Sequence, residues 1–160
     1  MEDLEGKRAL DLFAGTGAVS WEFISRGCEE VVAVEQAQVQ SGFIRSVKEK
    51  LGDPALKLIK GDVFRFVERA KESFDIVFAD PPYNHPRFAE VPQLILNSDV
   101  CRDGTLVIIE HNKNHDFSRL PGFRRHLAYG SVNFSIFVVE KKGEEVSEEE
   151  GSDCGIINVE

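Results

Sequence analysis

Leu10-Asp11-Leu12-Phe13-Ala14-Gly15-Thr16-Gly17-Ala18-Val19-Ser20 decides the fold. A short apolar run enters a Gly-x-Gly turn and continues as a segment of helical character through Arg26, the pattern of a β-strand handing over to an α-helix. Glycine at 15 and 17 lets the backbone take positive φ and keeps Cβ atoms out of a ligand's path. The helix that follows offers unpaired N–H groups at its start. In an open α/β sheet, ligands gather beyond the carboxyl ends of the strands, and this loop falls there.

Outward from the loop, β-branched runs alternate with helix-periodic segments. Arg8–Phe13, Val31–Glu35, Leu56–Lys60, Phe74–Asp80 and Thr105–Glu110 read as strands, and several are apolar at consecutive positions, which suits burial on both faces. Val39, Phe43, Val47 and Leu51 recur every four residues, which predicts an amphipathic helix; Val63, Phe66, Val67 and Ala70 predict another. Pro86 followed by Phe88, Val91, Leu94 and Ile95 predicts a further helix, with Pro86 near its first turn and Pro92 as a kink. His111 to Gly122 is polar, and Phe123–Tyr129 with Val132–Glu140 reads as a closing β-hairpin. The expected class is α/β, a mostly parallel Rossmann-like sheet with a C-terminal antiparallel hairpin.

The chain has 160 residues, enough for one domain, and its 42% hydrophobic and 29% charged content exclude wholesale disorder. The first five residues carry neither a basic region nor an apolar one, and no apolar run approaches the roughly 18 residues of a membrane span. Cys28, Cys101 and Cys154 are odd in number and widely spaced, which argues against a disulfide framework or zinc clip and for a reducing, cytoplasmic setting. Of the net charge of −9, most belongs to residues 143–160, with seven acids and no Lys or Arg; the rest is near neutral at −2. The expected organisation is therefore a domain over 1–142 and a disordered acidic tail over 143–160. A near-neutral body argues against binding dominated by phosphate contacts.

Two further acids sit at strand ends. Glu35 closes the second strand, placed to accept hydrogen bonds from both hydroxyls of a ribose, with Gln36 beside it. Asp62 follows the third, where it or the Val63 N–H could meet an adenine edge. Each acid alone reads as a solvated strand end or helix N-cap. Together with the glycine loop they point to an adenosine-containing cofactor. A dinucleotide would want a third glycine where Ser20 stands. Asp11 suits instead the ammonium of S-adenosylmethionine, with the Phe13, Ala14, Gly15 and Gly17 loop offering N–H groups to its carboxylate. NAD is the lesser alternative.

The fourth strand runs into Asp80-Pro81-Pro82-Tyr83. Consecutive prolines stiffen the turn and remove two N–H donors. The plain reading is a rigid strand exit; after the loop and both acids, an amine-methylating corner is the sharper one. The lone pair of a base –NH2 is delocalised into its ring, so the nitrogen is a poor nucleophile. The Asp80 carboxylate and Pro81 carbonyl, accepting its two N–H bonds, would favour pyramidalisation and stabilise the charge that develops. Tyr83 offers a face for stacking a base drawn out of its helix. No metal is needed.

Leu10–Gly17, Ala33-Val34-Glu35, Gly61-Asp62 and Phe74–Tyr83 resemble the class I S-adenosylmethionine-dependent methyltransferases with an Asp/Asn-Pro-Pro-Tyr motif. More narrowly, LDLFAGTGAVSWEFISRG with FADPPY is similar to the bacterial 16S ribosomal RNA guanine-N2 methyltransferases of the RsmD type, over about Lys7 to Glu140. The resemblance implies a seven-stranded sheet with the hairpin at one edge. It also implies methyl transfer to a guanine 2-amino group in 16S rRNA, on an assembling small ribosomal subunit. A monomer is expected. Family members begin with a longer stretch, including a basic segment and a helix that cover the cofactor and help hold RNA; six residues precede Lys7 here, as expected of a truncated or divergent member. The acidic tail also differs from the usual ending. Adenine N6 or cytosine N4 of DNA, and a cofactor-binding module without turnover, remain alternatives.

His111 and His115 have metal-pair spacing but lack a third ligand. His85 could line the base pocket or stand exposed in its loop, and Arg124, Arg125 and His126 could touch phosphates or cover an edge strand. Trp21 reads as packing.

Overall fold

The computed structural model describes residues 4–141. The acidic tail expected over 143–160 lies outside the described residues. Seven strands, β1 (Arg8–Leu12), β2 (Glu30–Glu35), β3 (Leu56–Lys60), β4 (Phe74–Ala79), β5 (Cys101–His111), β6 (Phe123–Tyr129) and β7 (Val132–Val138), form one sheet in the order β3-β2-β1-β4-β5-β7-β6. The first five run parallel, and β7 and β6 close the edge antiparallel. Helices α1 (Ala18–Ser25), α2 (Gln38–Leu51), α3 (Val63–Arg69) and α4 (Val91–Leu96) provide the crossovers. The chain order reverses at β1, whose neighbours are β2 and β4, so a crevice opens where their carboxyl ends diverge.

Strand alternation divides the core into two layers. Leu10, Leu12, Val77, Ala79, Val107 and Ile109 pack with α3 and α4 on one face. Ala9, Ala33, Ile76 and Phe78 pack with Phe23 of α1 and Ile44 of α2 on the other. At the amino ends of the strands, Arg8 pairs with Glu30 at 2.7 Å and also with Glu72, Lys57 reaches Glu30 at 2.6 Å, and Arg102 pairs with Asp75. This ion network and the crevice occupy opposite ends of the sheet.

Three local expectations are corrected. The four-residue repeat on α2 marks the helix but not its buried face: Val39, Phe43 and Leu51 are 83%, 52% and 61% exposed, while Ser41 and Ile44 face the sheet. Pro92 does not kink a long helix; a 3-10 turn at Phe88–Glu90 precedes α4, and Pro92 stands in its first turn, where a missing N–H costs no intrahelical bond. β5 begins at Cys101, before the expected Thr105, because a register shift between Phe74 and Ile76 absorbs the polar Arg102-Asp103-Gly104 stretch.

Phe74 opens β4, is fully buried and lies under the Arg8 guanidinium at 4.6 Å. Phe74→Ala is expected to lower unfolding free energy by about 3–5 kcal/mol, read from urea denaturation.

Candidate functional site

The glycine loop is held by its own backbone. Ala14 N–H donates to Val34 O at 3.0 Å and Gly17 N–H to Ala14 O at 2.9 Å, folding the turn back over β2. Gly17 takes φ 89°, and a Cβ there would lie 3.1 Å from Ile44 Cγ1 and 3.6 Å from Trp21 Nε1. Glycine is thus required both for the turn and for seating α2, and Trp21 is packing. Phe13 takes φ 61°, a left-handed conformation that a bulky residue rarely adopts. Around Gly15, by contrast, an added Cβ would meet nothing within 4 Å. The loop is open on its outer side.

A cavity of about 300 Å³ opens at the carboxyl end of the sheet, bounded by Phe13, Glu35, Gln36, Val63, Pro82 and His85, with Ala37 completing its rim. Phe13 at the start of the glycine loop, the second-strand acid, Val63 after the third strand and Pro82 of the diproline corner therefore face one space, while Ala14, Gly15, Gly17, Asp80, Pro81 and Tyr83 lie outside its lining. Glu35 accepts from Gly15 N–H at 2.7 Å and from Ala37 N–H at 2.9 Å, one bond to each carboxylate oxygen. Its carboxylate is fixed against the loop and keeps further lone pairs for a ligand.

Two expected contacts lie elsewhere. Asp11 is 1% exposed and accepts from the Ser20 hydroxyl at 2.6 Å, so it braces the loop from beneath rather than lining the cavity. Burial, reinforced by the charges of Asp80 and Glu35 and opposed by the Ser20 bonds, pushes its carboxyl up to about 7. Asp62 is the N-cap of α3, accepting from Arg65 N–H at 3.2 Å, and it faces a separate cavity with Gly61 and Phe66. Val63 alone of that pair lines the site.

The corner after β4 is tied to β1, because Asp80 N–H donates to Leu12 O at 3.3 Å. Pro81 is buried, and Pro82 borders the cavity. Asp80 is open to solvent on one flank, yet the protein packed around its carboxyl raises it above the usual aspartate range. Tyr83 is 48% exposed and rests on the edge of Phe88, ring centroids 5.8 Å apart. Phe88 stacks on His115 at 4.6 Å, and His115 on Phe117. Burial first, then the charges of Glu110 and Asp80, raise the Tyr83 phenol, which stays protonated.

His85 belongs to the site more fully than the sequence indicated, and Glu110 stands outside the cavity, one rung beyond the Ala79–Ile109 pair and next to the Asp80 corner. His85 stacks on Phe64 at 5.0 Å, stands edge-on to Phe13 at 6.3 Å and forms one cavity wall. Its spacing three residues beyond Pro82 was the available signal. Glu110, near the carboxyl end of β5, looked like the last residue of a strand and carried no signal of its own. His111 offers a metal no free position, since its ring nitrogens bond to Ser135 Oγ at 2.8 Å and Asn112 O at 2.7 Å, while His115 is stacked between Phe88 and Phe117. Among the described residues no cluster of three or more His, Cys, Asp or Glu is arranged for a metal ion, and no helix is long and apolar enough to cross a membrane.

The family model described as Conserved hypothetical protein 95 matches residues 1–138. The chain belongs to this family. The family's relatives include the Ribosomal RNA small subunit methyltransferase D of Escherichia coli, 23% identical over 140 residues, covering 86% of this chain and 71% of that protein. The same-named protein of Buchnera aphidicola is 24% identical over 109 residues, covering 68% of this chain; the match spans 56% of that relative's length. Among solved structures, a hypothetical protein of Thermus thermophilus is 29% identical with TM-score 0.72, covering 84% of this chain and 75% of that one. An RNA methyltransferase of Salinibacter ruber, solved with S-adenosyl-L-homocysteine, shares the fold at 14% identity and TM-score 0.68, covering 88% and 86%. The sheet is that of the Rossmann-like class I methyltransferases.

Asp11 ties stability to pH. Its carboxyl rises from an ordinary value of 3.8 to about 7 on folding, so the folded chain holds a proton that the unfolded chain has released. Its contribution therefore falls as pH rises from about 4 to about 7. Asp11→Asn is expected to remove that slope, gaining on wild type by on the order of a few kcal/mol toward neutral pH in denaturation curves across this range.

Proposed function

We propose that this chain is an S-adenosylmethionine-dependent methyltransferase that acts in the cytoplasm, as a monomer, on an exocyclic base amine of RNA, the 2-amino group of a guanine in 16S rRNA of the assembling small subunit. One observation carries the reading: the tips of β1, β2 and β4 border a single cavity, so Phe13, Glu35 and Pro82 share one ligand space. The names of the relatives point the same way, two of them being ribosomal RNA small subunit methyltransferases.

The residues fit the cofactor. Glu35 offers acceptors suited to ribose hydroxyls, Phe13 and Val63 supply apolar walls, and Gly15 leaves room for close approach to the main chain. Phe13, Ala14, Gly15, Gly17, Glu35, Gln36 and Val63 would hold it, with Asp11 bracing the loop and Asp62 setting the start of α3. When bound, S-adenosylmethionine supplies a methyl group on a sulfonium sulfur, which departs as a neutral thioether when an amine lone pair takes the methyl.

The protein's own work is done at the corner. Asp80 and the Pro81 carbonyl accept the two N–H bonds of the target amine and hold its lone pair out of conjugation with the ring. The nitrogen gains positive charge as its new bond to carbon forms, and the Asp80 carboxylate, close by and partly desolvated, stabilises that charge. The surplus amine proton then passes to Asp80 or to solvent. Tyr83, with one side supported by Phe88, gives the base a stacking face. Holding the amine in line with the methyl contributes by orientation.

Incubation with label-bearing S-adenosylmethionine and unmethylated small subunits, followed by nucleoside analysis, tests this. Label is expected on N2-methylguanosine. Asp80→Ala is expected to cut transfer by about 100-fold or more while keeping affinity for S-adenosylhomocysteine. Equal and negligible transfer by wild type and Asp80→Ala would instead favour a binding module. By calorimetry, Glu35→Ala is expected to weaken S-adenosylhomocysteine binding by about tenfold or more; tighter binding of NAD would overturn the cofactor.

A further inference from the structure

We propose that Glu110 reads the ring nitrogen beside the target amine, and thereby admits a base that carries a proton there. This rests on the methyltransferase reading above and adds to it a residue that sets base choice.

The geometry comes from the sheet register. β4 and β5 pair in parallel with Phe78 opposite Ile108 and Ala79 opposite Ile109, so the next rung sets Asp80 beside Glu110. Neighbouring strands lie about 4.8 Å apart. Phe78 and Ile108 both belong to the layer under α1 and α2, and alternation by two carries Asp80 and Glu110 to that same face. On its other side Glu110 pairs with Phe134 of β7, which also belongs to that layer. Glu110 is half-buried, and no described residue gives its carboxylate a hydrogen bond or an ion pair. Burial, with the charge of Asp80, raises it above the usual glutamate range. Glu30 and Asp75, by contrast, have guanidinium or ammonium partners at the opposite end of the sheet. A partly desolvated carboxylate without a donor is costly, and a donor brought by a ligand relieves that cost.

The ligand group standing beside the amine supplies the discrimination. With the amine held by Asp80 and Pro81, Glu110 on the adjacent strand faces the next ring position. In guanine the amine is flanked by N1–H, a donor, and by the unprotonated N3, and a carboxylate on the adjacent strand selects the orientation that presents N1–H to it. In adenine the ring nitrogen beside the amine is the unprotonated N1, and in cytosine the unprotonated N3, both acceptors that repel a carboxylate. Guanine thus gains a charge-assisted hydrogen bond where the other amino bases meet two facing lone pairs.

The test uses the full chain and the RNA helix containing the guanine located by nucleoside analysis, made with either guanine or 2-aminopurine at that position. 2-Aminopurine keeps the 2-amino group and lacks the N1 proton. Wild type is expected to lose roughly 10- to 100-fold in kcat/KM on the 2-aminopurine RNA. Glu110→Gln keeps a carbonyl oxygen that accepts from N1–H but loses the charge, so it is expected to lose only up to about tenfold on guanine and to gain on 2-aminopurine, to whose unprotonated nitrogen its amide can donate, narrowing or reversing that preference. Its affinity for S-adenosylhomocysteine should stay within about twofold of wild type, as expected for a residue outside the cofactor cavity. Equal use of both RNAs by wild type would overturn the proposal without any variant. So would a Glu110→Gln that lowers both rates alike, the mark of a structural role. Label on adenine or cytosine would sink Glu110 as the reader while leaving methyl transfer intact. Absence of label on every nucleoside would instead remove the methyltransferase reading beneath it.

Discussion

The hydrogen bond from Asp80 N–H to Leu12 O, at 3.3 Å, joins the two corners on which the site depends. It extends the β1–β4 ladder one rung past the last strand residues, so the glycine turn and the diproline corner leave the sheet side by side. Every other element serves that adjacency. β2 lies on the far side of β1 and brings Glu35 onto the loop; β5 lies on the far side of β4 and brings Glu110 to the corner. A different strand order would keep all these residues and scatter them.

Much of this order was legible in the sequence because its causes are local. Runs such as Val31–Glu35 and Phe74–Ala79 are apolar at consecutive positions, which only a strand covered on both faces requires. The glycine turn and Asp-Pro-Pro-Tyr announce themselves because they constrain the backbone. What escaped is set by packing between distant segments. The four-residue stripe on α2 identified a helix, but whether Phe43 or Ile44 faces inward depends on the Gly17 loop, 27 residues earlier. Asp11 looked like a ligand group, and only the fold brings Ser20 against it. Glu110 gains meaning solely from the strand beside it.

The molecule separates its electrostatic tasks by position. Acids at the amino end of the sheet are neutralised by Arg8, Lys57 and Arg102, which locks the strand starts together. At the carboxyl end Asp11, Asp80 and Glu110 are all raised, burial being the largest cause in each. That end is the less relaxed of the two.

Phe13 carries this tension in its main chain. Its left-handed backbone, at φ 61°, costs on the order of 1–3 kcal/mol, which glycine or asparagine would largely recover. The ring is nonetheless what walls the cavity beside His85. Selection for heat tolerance alone would therefore drift toward small residues at this position, and laboratory evolution of a hardier protein should hold position 13 fixed from the outset.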